Sequence, residues 1–178
     1  MKVYFMRHGE SEYNVAQRIN FEPNKEVHLT LNGQDQIKEA ADHLSNVRFD
    51  SIYSSPFIRA KESAAIIAKG RRIKIKPDKR LGEFRFGFEG ESVEEYYNLR
   101  EAAENLVEFK LKGFESFLDV KKRVHDFLID LKKKKHGRVL IVAHEAIVQA
   151  ARTIFNELSD EDAFATPIKN AQYFMFDM

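Results

Sequence analysis

Residues 5–14, with the sequence FMRHGESEYN, end the first apolar run of the chain with an arginine, a histidine and a glycine in direct succession. The run that precedes them, VYFM at 3–6, is short and rich in residues that favour strands. A buried strand that ends in two chargeable groups has to deliver them to a solvated end of the sheet. The pattern therefore predicts that Arg7 and His8 lie together at a strand end.

Strand-like and helix-like segments alternate along the rest of the chain. Further strands are predicted at 51–53, 73–75, 139–143 and 172–177. The run VLIVA at 139–143 is continuously apolar, as expected for a strand buried on both faces. Between the strands, segments such as FLDVKKRVHDFLIDLKKKK at 117–135 repeat apolar residues at helical spacing. This alternation predicts one α/β domain over 1–178, a three-layer sandwich with a mostly parallel central sheet and helices on both faces.

The composition limits the classes of function. The 178 residues include 29 Lys+Arg and 28 Asp+Glu, a balance that does not favour a nucleic-acid partner. Cysteine is absent, so thiolate nucleophiles, disulfides and cysteine-ligated zinc are excluded. No leader pattern and no apolar run of about 18 residues is visible in the sequence. We therefore expect a cytoplasmic protein without a membrane partner, as a monomer or homodimer.

Potentially cationic side chains follow three of the predicted strands. Arg7 and His8 follow the first strand, Arg59 lies near the start of the helix after the second, and His144 follows VLIVA directly. In open α/β sheets, ligands bind beyond the carboxyl ends of the strands. Side chains of this kind would converge on a small anion, and phosphate matches the planar fork of arginine.

Six ordered segments then resemble the histidine phosphatase superfamily, the group that includes phosphoglycerate mutase. They are RHGESEYN, HLTLNGQDQIKEAADHL, IYSSPFIRAKESA, LGEFRFGFEG, VLIVAHEAIV and NAQYFMFDM. They extend over almost the whole chain in the family's order, and the resemblance is to the phosphatase branch. It implies a metal-independent phosphoric monoester hydrolase without a cofactor, which forms a phosphohistidine on the way to hydrolysis.

The resemblance also implies a role for each matching residue. His8 would be the nucleophile, and Glu83 would protonate the leaving oxygen and then activate water. The phosphoryl oxygens would be held by Arg7, Asn14, Arg59 and His144. Two alternatives stay open from the residues themselves: Glu83 as a carboxylate without chemistry, and Asn14 as a helix cap. Because Glu83 must hold a proton during the cycle, we expect surroundings that favour its neutral form, and Phe84, Phe86 and Phe88 are consistent with this.

One position departs from the family pattern. The residue after the last histidine is usually glycine, whereas here it is Glu145. A carboxylate beside a phosphate pocket is repulsive unless it points away or pairs with a cation. We favour the interpretation that Glu145 opens the following helix, where a negative charge suits the dipole. The alternative is that it reaches the substrate and selects a partly cationic or hydroxyl-rich one.

The residues are compatible with three functions. A phosphatase acting on a small phosphorylated metabolite or a phosphoprotein fits best, because the chain is short and the segment RINF at 18–21 replaces the threonine-glycine pair of the mutases. Phosphoglycerate mutase-type phosphoryl transfer is the first alternative. A weakly active phosphate-binding module is the second, and Glu145 is the feature that favours it. We expect the segment at about 92–113 to form a helical cover over the pocket that sets the leaving group.

Overall fold

A five-stranded sheet forms the centre of the protein in the computed structural model, which describes residues 1–101 and 103–178. The spatial order of the strands is β3-β2-β4-β1-β5. Neighbours pair in parallel except for β5, which runs antiparallel to β1 at one edge. The strand bounds are β1 Lys2–Arg7, β2 Ser51–Ser54, β3 Ile75–Pro77, β4 Arg138–Ala143 and β5 Tyr173–Asp177.

The helices of the described residues lie between and after these strands. Their bounds are α1 Glu12–Val15, α2 Leu31–His43, α3 Ile58–Ala68, α4 Val93–Glu101, α5 Phe117–Lys132, α6 Glu145–Ile154 and α7 Asp160–Ala165, with a 3-10 turn at Lys79–Leu81. Several start on side-chain caps: Ser116 and Asp119 form a capping box at α5, and Thr30 accepts from the Gly33 amide at α2. The chain after α3 turns at Gly70, whose φ of +77° suits glycine.

Two hydrophobic clusters cover the two faces of the sheet. Because side chains alternate along a strand, Val3 and Phe5 of β1 face one cluster and Met6 faces the other. The first cluster contains apolar residues of α5 and α6, and the second contains those of α2 and α3. Each fully buried side chain of this size contributes about 1.5–3 kcal/mol to folding. The predicted three-layer α/β arrangement is therefore confirmed.

The structure corrects one predicted strand. β3 covers Ile75–Pro77 instead of 73–75, because its backbone partner is β2, with Ile75 beside Ile52 and Pro77 beside Ser54. Pro77 is compatible with this position because β3 is an edge strand, where one ladder donor can be missing. The short helices α1 and α7 were not predicted, since four and six residues carry too little periodicity.

The expected cover segment at about 92–113 contains α4, followed by turns over 103–113, and its residue 102 lies outside the described residues. Its function as a cover stays a prediction. Within the described ranges, no helix combines the length and the apolar character that crossing a bilayer would require. The parallel strands β1, β2 and β4 bring their carboxyl ends to the same edge of the sheet, and the candidate site lies there.

Candidate active site

Gly9 explains why the first strand ends so abruptly. A Cβ at this position would lie 2.3 Å from the Gly33 carbonyl oxygen, so only glycine allows the loop to pack against the start of α2. The tight passage leaves His8 buried at the end of β1, with 2% of its surface exposed. The arginine, histidine and glycine together therefore turn the chain and fix the histidine at the sheet edge.

The imidazole of His8 is held in one orientation. Its Nδ1 lies 2.6 Å from the Gly9 carbonyl oxygen, which can only accept, so Nδ1 carries the proton. Its Nε2 then has a lone pair, which accepts a hydrogen bond from Arg59 Nε at 3.1 Å. Burial is the main cause that lowers the pKa of His8 well below its usual value, and the nearby positive charge of Arg59 acts in the same direction. The residue is therefore a neutral imidazole near pH 7 that carries its lone pair on Nε2, as a nucleophile requires.

Arg59 lies in the first turn of α3 and is almost fully buried. Its guanidinium donates from Nη1 to the side-chain oxygen of Asn20 and from Nη2 to the Asn20 carbonyl at 3.2 Å. Burial lowers the pKa of Arg59 to about 10, so it remains charged at neutral pH. A buried guanidinium with these fixed partners supplies a preorganised positive charge beside the nucleophile.

Glu83 follows the 3-10 turn, and its carboxylate reaches the same centre. Oε2 lies 3.2 Å from His144 Nδ1 and 3.8 Å from Arg59 Nη2, and Oε1 accepts from the Phe84 amide at 2.8 Å. Burial alone would raise the pKa of Glu83, but these groups outweigh it and lower the pKa to about 2. The expectation of surroundings that favour the neutral form is therefore wrong for the free site, because the cationic Arg59 and two N–H donors counter the aromatic neighbours.

His144 caps the start of α6 and is completely buried. Burial is the largest cause that lowers its pKa to about 4, although Glu83 acts in the opposite direction. A neutral ring fits its partners: Nδ1–H faces the Glu83 carboxylate, and Nε2 lies 2.7 Å from the Ser55 hydroxyl, which can donate. Its ring centroid lies 5.1 Å from that of His8. The two predicted histidines are therefore direct neighbours.

Arg7 contacts the loop before β5 and the start of α6. Its Nη1 donates to the Ile168 carbonyl and lies 3.2 Å from Glu145 Oε2. Glu145 begins α6, as favoured from the sequence, but its carboxylate also pairs with a cation inside the pocket. Among the described residues, the buried Nε of Arg7 has no hydrogen-bond partner. A buried donor of this kind is satisfied when an anion binds beside it.

Asn14 has the local role that was one of its two interpretations. Its Oδ1 accepts from the Ser11 amide at 3.0 Å and from the Asn170 side chain at 3.3 Å, as part of the capping box of α1. Asn14 also lines the pocket. Since its side-chain oxygen is used by the cap, its NH₂ is the group that can donate to an anion, and the two interpretations are compatible.

Several residues of the site were not found from the sequence. Asn20 holds both ends of the Arg59 guanidinium, and Glu89 accepts from the Asn20 side chain at 3.0 Å. Arg123 of α5 donates to the backbone carbonyls on either side of the acid, including Glu83 at 3.1 Å. Asn20 and Arg123 lie outside the segments that carry the resemblance, and Glu89 lies inside LGEFRFGFEG at a position for which the resemblance implied no role. The sequence shows no specific signal for the three.

One cavity of about 520 Å³ joins these groups. Arg7, His8, Arg59 and Glu83 form its polar end, while His144 lies directly behind them. Its other walls include Tyr13 and Arg18 around α1, Val93, Tyr96 and Tyr97 of α4, and Phe164 of α7. The site thus combines a compact, charged end with a partly aromatic space that can hold a leaving group.

His8, Glu83 and His144 have ligand atoms within 4.8 Å of one another, and their types suit a metal ion. However, Arg59 contacts all three residues, at 3.1 Å from His8, 3.8 Å from Glu83 and 3.4 Å from His144. A second cation among them would be repelled by the buried guanidinium. The geometry therefore favours Arg59 as the source of positive charge, in line with the metal-independent chemistry expected from the sequence.

Comparison with known proteins agrees with this geometry. The family model described as "Histidine phosphatase superfamily (branch 1)" matches residues 3–178. The chain is 30% identical to a putative phosphoserine phosphatase 2 of Hydrogenobacter thermophilus, over 96% of this chain and 86% of that protein. It is 28% identical to a 2,3-bisphosphoglycerate-dependent phosphoglycerate mutase of Thermoplasma acidophilum, over 100% of this chain and 88% of that protein.

The fold is similar to that of Bacillus stearothermophilus YhfR, with a TM-score of 0.87 and 24% identity over 99% of this chain and 90% of that chain. The family match and the relative named as a phosphoserine phosphatase confirm the predicted enzyme class of phosphomonoester hydrolase. The chain belongs to the histidine phosphatase superfamily, branch 1.

Proposed function

We propose that this enzyme hydrolyses the phosphomonoester of a small metabolite in two displacements, with His8 as the nucleophile and Glu83 as the acid and base. The observation that carries the proposal is the fixed tautomer of His8. Its Nδ1 proton is held by the Gly9 carbonyl 2.6 Å away, and its neutral Nε2 opens into the cavity beside Arg59. Such an imidazole needs no separate base before it attacks.

In the first displacement, His8 Nε2 forms a bond to phosphorus while the bond to the leaving oxygen breaks. Arg7, Arg59 and the Asn14 NH₂ hold the phosphoryl oxygens, and His144 holds the Glu83 carboxylate through Nδ1–H. These groups position the phosphoryl group for attack and stabilise the negative charge of the transition state. The leaving oxygen takes a proton from Glu83, so the products of this step are the free alcohol, phosphohistidine and the Glu83 carboxylate.

Glu83 has to gain that proton when the substrate binds, since its pKa in the free site is lowered to about 2. A bound phosphoryl group engages Arg59 and adds negative charge near the carboxylate, and both effects raise the pKa of Glu83. The proton comes from solvent or from the monoanionic form of the ester. In the second displacement Glu83 removes a proton from water, the resulting oxygen attacks phosphorus, and phosphate leaves His8.

The shape of the cavity supports a small substrate over a phosphoprotein. Its volume of about 520 Å³ holds a metabolite, while walls from α1, α4 and α7 surround the charged end. The relative named as a phosphoserine phosphatase makes phosphoserine the first ester to test. A cytoplasmic location, a monomeric or homodimeric state and the absence of nucleic-acid and membrane partners remain predictions.

Mutase-type transfer is the second candidate, because a relative that matches the whole chain is named as a phosphoglycerate mutase. A mutase has to return the phosphoryl group to a second hydroxyl before water reaches it. Conversion of 2-phosphoglycerate to 3-phosphoglycerate, primed by a bisphosphate, would favour this candidate over hydrolysis. A module that binds phosphate without turnover would release phosphate from none of the esters.

The test is phosphate release from a panel of phosphorylated metabolites and p-nitrophenyl phosphate, with and without EDTA. We expect turnover of at least one small ester, no effect of the chelator and no turnover by the His8→Ala variant. Strong inhibition by EDTA would point to a metal hydrolase, and full activity of His8→Ala would exclude the proposed mechanism.

A further inference from the structure

The carboxylate of Glu145 is fixed on the wall of the pocket. Its Oε1 accepts from the Ile168 amide at 2.8 Å, and its Oε2 lies 3.2 Å from Arg7 Nη1. Its side chain is 32% exposed, and the residue is part of the cavity lining. A negative charge is therefore held in place next to an arginine that the proposed mechanism assigns to phosphate binding.

The start of a helix does not explain this placement by itself. A glutamate in a first turn stabilises the helix dipole wherever its side chain meets solvent. Here both carboxylate oxygens bind groups outside α6, on the loop before β5 and at the end of β1. Contacts with other parts of the pocket therefore set the direction of the Glu145 side chain, and its charge acts on a substrate bound there.

The charges along the described cavity wall nearly cancel. Three guanidinium groups, on Arg7, Arg18 and Arg59, face two carboxylates, on Glu83 and Glu145. The pKa values of His8 and His144 are lowered mainly by burial, so neither ring adds a charge near pH 7. The wall has one positive charge in excess. A phosphoryl dianion exceeds it, and protonation of Glu83 on binding only balances the dianion, so a further negative group on the substrate would meet the fixed charge of Glu145 without a net positive charge on the wall to offset it.

We propose that Glu145 makes this pocket select phosphomonoesters whose leaving group is neutral, zwitterionic or cationic, and disfavour those whose leaving group has a net negative charge. The inference deepens the proposed phosphatase function and rests on it. Two like charges about 7 Å apart at an effective dielectric constant of about 20 repel enough to change a binding constant tenfold or more. Removal of the charge on Glu145 therefore changes the relative preference for substrates that differ in charge.

The experiment compares three alkyl phosphates of similar size: 3-phosphoglycerate, glycerol 3-phosphate and phosphoethanolamine. Their leaving groups are anionic, neutral and cationic. The Glu145→Gln variant is suited to the test because its amide oxygen can still accept from the Ile168 amide while the charge is gone. We expect kcat/KM for 3-phosphoglycerate, divided by that for phosphoethanolamine, to rise about tenfold or more in this variant. Glu145→Gly, with the glycine usual in the family, should change the ratio in the same direction.

The matched control is Glu157→Gln. Glu157 also pairs with an arginine, Arg152 at 3.0 Å, but it is not part of the cavity lining. It should leave the ratio at the wild-type value. Thermal unfolding of each variant verifies that it is folded. A ratio in Glu145→Gln equal to that of the wild type would overturn the inference while leaving the phosphatase function intact.

Calorimetric binding of the same three esters to His8→Ala and His8→Ala/Glu145→Gln proteins tests the inference without turnover. If the wild type hydrolysed no ester of the wider metabolite panel and no p-nitrophenyl phosphate, the proposed function would fail. The selection by charge would still be supported by a shifted ratio of dissociation constants and overturned by an unchanged one.

Discussion

Arg59 donates a hydrogen bond from Nε to Nε2 of His8 over 3.1 Å in the free site. The nitrogen proposed to attack phosphorus is therefore engaged by a donor in the free site, and we expect the phosphoryl oxygens to take over this hydrogen bond from Arg59 when the substrate binds. The contact keeps His8 neutral and oriented between turnovers, since a neighbouring positive charge lowers the pKa of an imidazole. It also means that substrate binding and activation of the nucleophile occur together.

The nucleophile is tested first. We expect His8→Ala to lose turnover by a factor on the order of 10³ or more, because no second imidazole lines the cavity among the described residues. Rapid mixing of the wild type with ³²P-labelled ester, followed by quenching, should trap a phosphoenzyme that is labile to acid and stable to base. The control is His125→Ala, at an exposed position of α5. Label retained by His8→Ala would contradict the assignment.

Glu83 is tested by the basicity of the leaving group. A sugar or glycerol phosphate needs a proton on its leaving oxygen, whereas p-nitrophenolate leaves largely unaided. Glu83→Gln should therefore reduce kcat/KM for glycerol 3-phosphate by at least tenfold more than for p-nitrophenyl phosphate. A pre-steady-state burst with p-nitrophenyl phosphate would show that hydrolysis of the phosphohistidine limits turnover. Equal losses on both esters without a burst would mean that another carboxylate, such as Glu10, Glu89 or Glu145, is the acid.

The sequence predicted the parts of the site that depend on strand ends. Arg7 is the last residue of β1, and His8 and His144 directly follow β1 and β4. Parallel strands necessarily bring such residues to the same edge. Their contacts with each other could not be predicted, because these depend on loops without periodicity. The wrong expectation for Glu83 has this origin: its aromatic neighbours are adjacent in sequence, whereas Arg59 and His144, which lower its pKa, come from distant segments.

Asn20 is a residue of the site that was not predicted from the sequence. It holds the Arg59 guanidinium through its side-chain and backbone oxygens, and Glu89 fixes it through a hydrogen bond of 3.0 Å. Asn20→Ala should raise KM and lower kcat/KM by about tenfold, since the misaligned guanidinium loses part of its hold on the phosphoryl group. Inhibition by vanadate should weaken in parallel. Asn24→Ala, at an exposed position of the same loop, is the control. Unchanged vanadate inhibition in Asn20→Ala would exclude the positioning role.

The buried histidines predict how stability depends on pH. The pKa of His8 is lowered well below 6.5 and that of His144 to about 4, so the unfolded chain takes up protons near pH 6.5 that the folded chain does not. The free energy of unfolding should therefore fall as the pH decreases from 6.5 to 5, by up to about 1.4 kcal/mol per pH unit for each histidine. Glu83 does not contribute in this window, because its stabilisation is lost only below about pH 4.5, towards its folded pKa of about 2.

Urea denaturation at several pH values measures this dependence. Between pH 5 and 6.5, the free energy of unfolding of His8→Asn should change less steeply with pH than that of the wild type. The difference should correspond to the uptake of about one proton fewer on unfolding. At pH 8 the slopes of the two proteins should agree. Identical slopes between pH 5 and 6.5 would show that His8 does not resist protonation in the folded protein.

Arg123 acts on Glu83 from outside the lining of the pocket. Its guanidinium pairs with Glu115 at 2.9 Å and donates to the carbonyls of Arg80, Gly82 and Glu83, which fixes the loop that carries the acid. Arg123→Met keeps the aliphatic stem but releases three carbonyls, so the acid should lose its alignment while phosphate binding stays intact. We expect kcat for glycerol 3-phosphate to fall about tenfold, a smaller loss for p-nitrophenyl phosphate, and unchanged inhibition by vanadate. Lys122→Met, on the exposed side of α5, should behave as the wild type. If Arg123→Met slowed both esters equally, or weakened vanadate inhibition as Asn20→Ala should, Arg123 would be a general support of the fold and not a positioning residue for the acid.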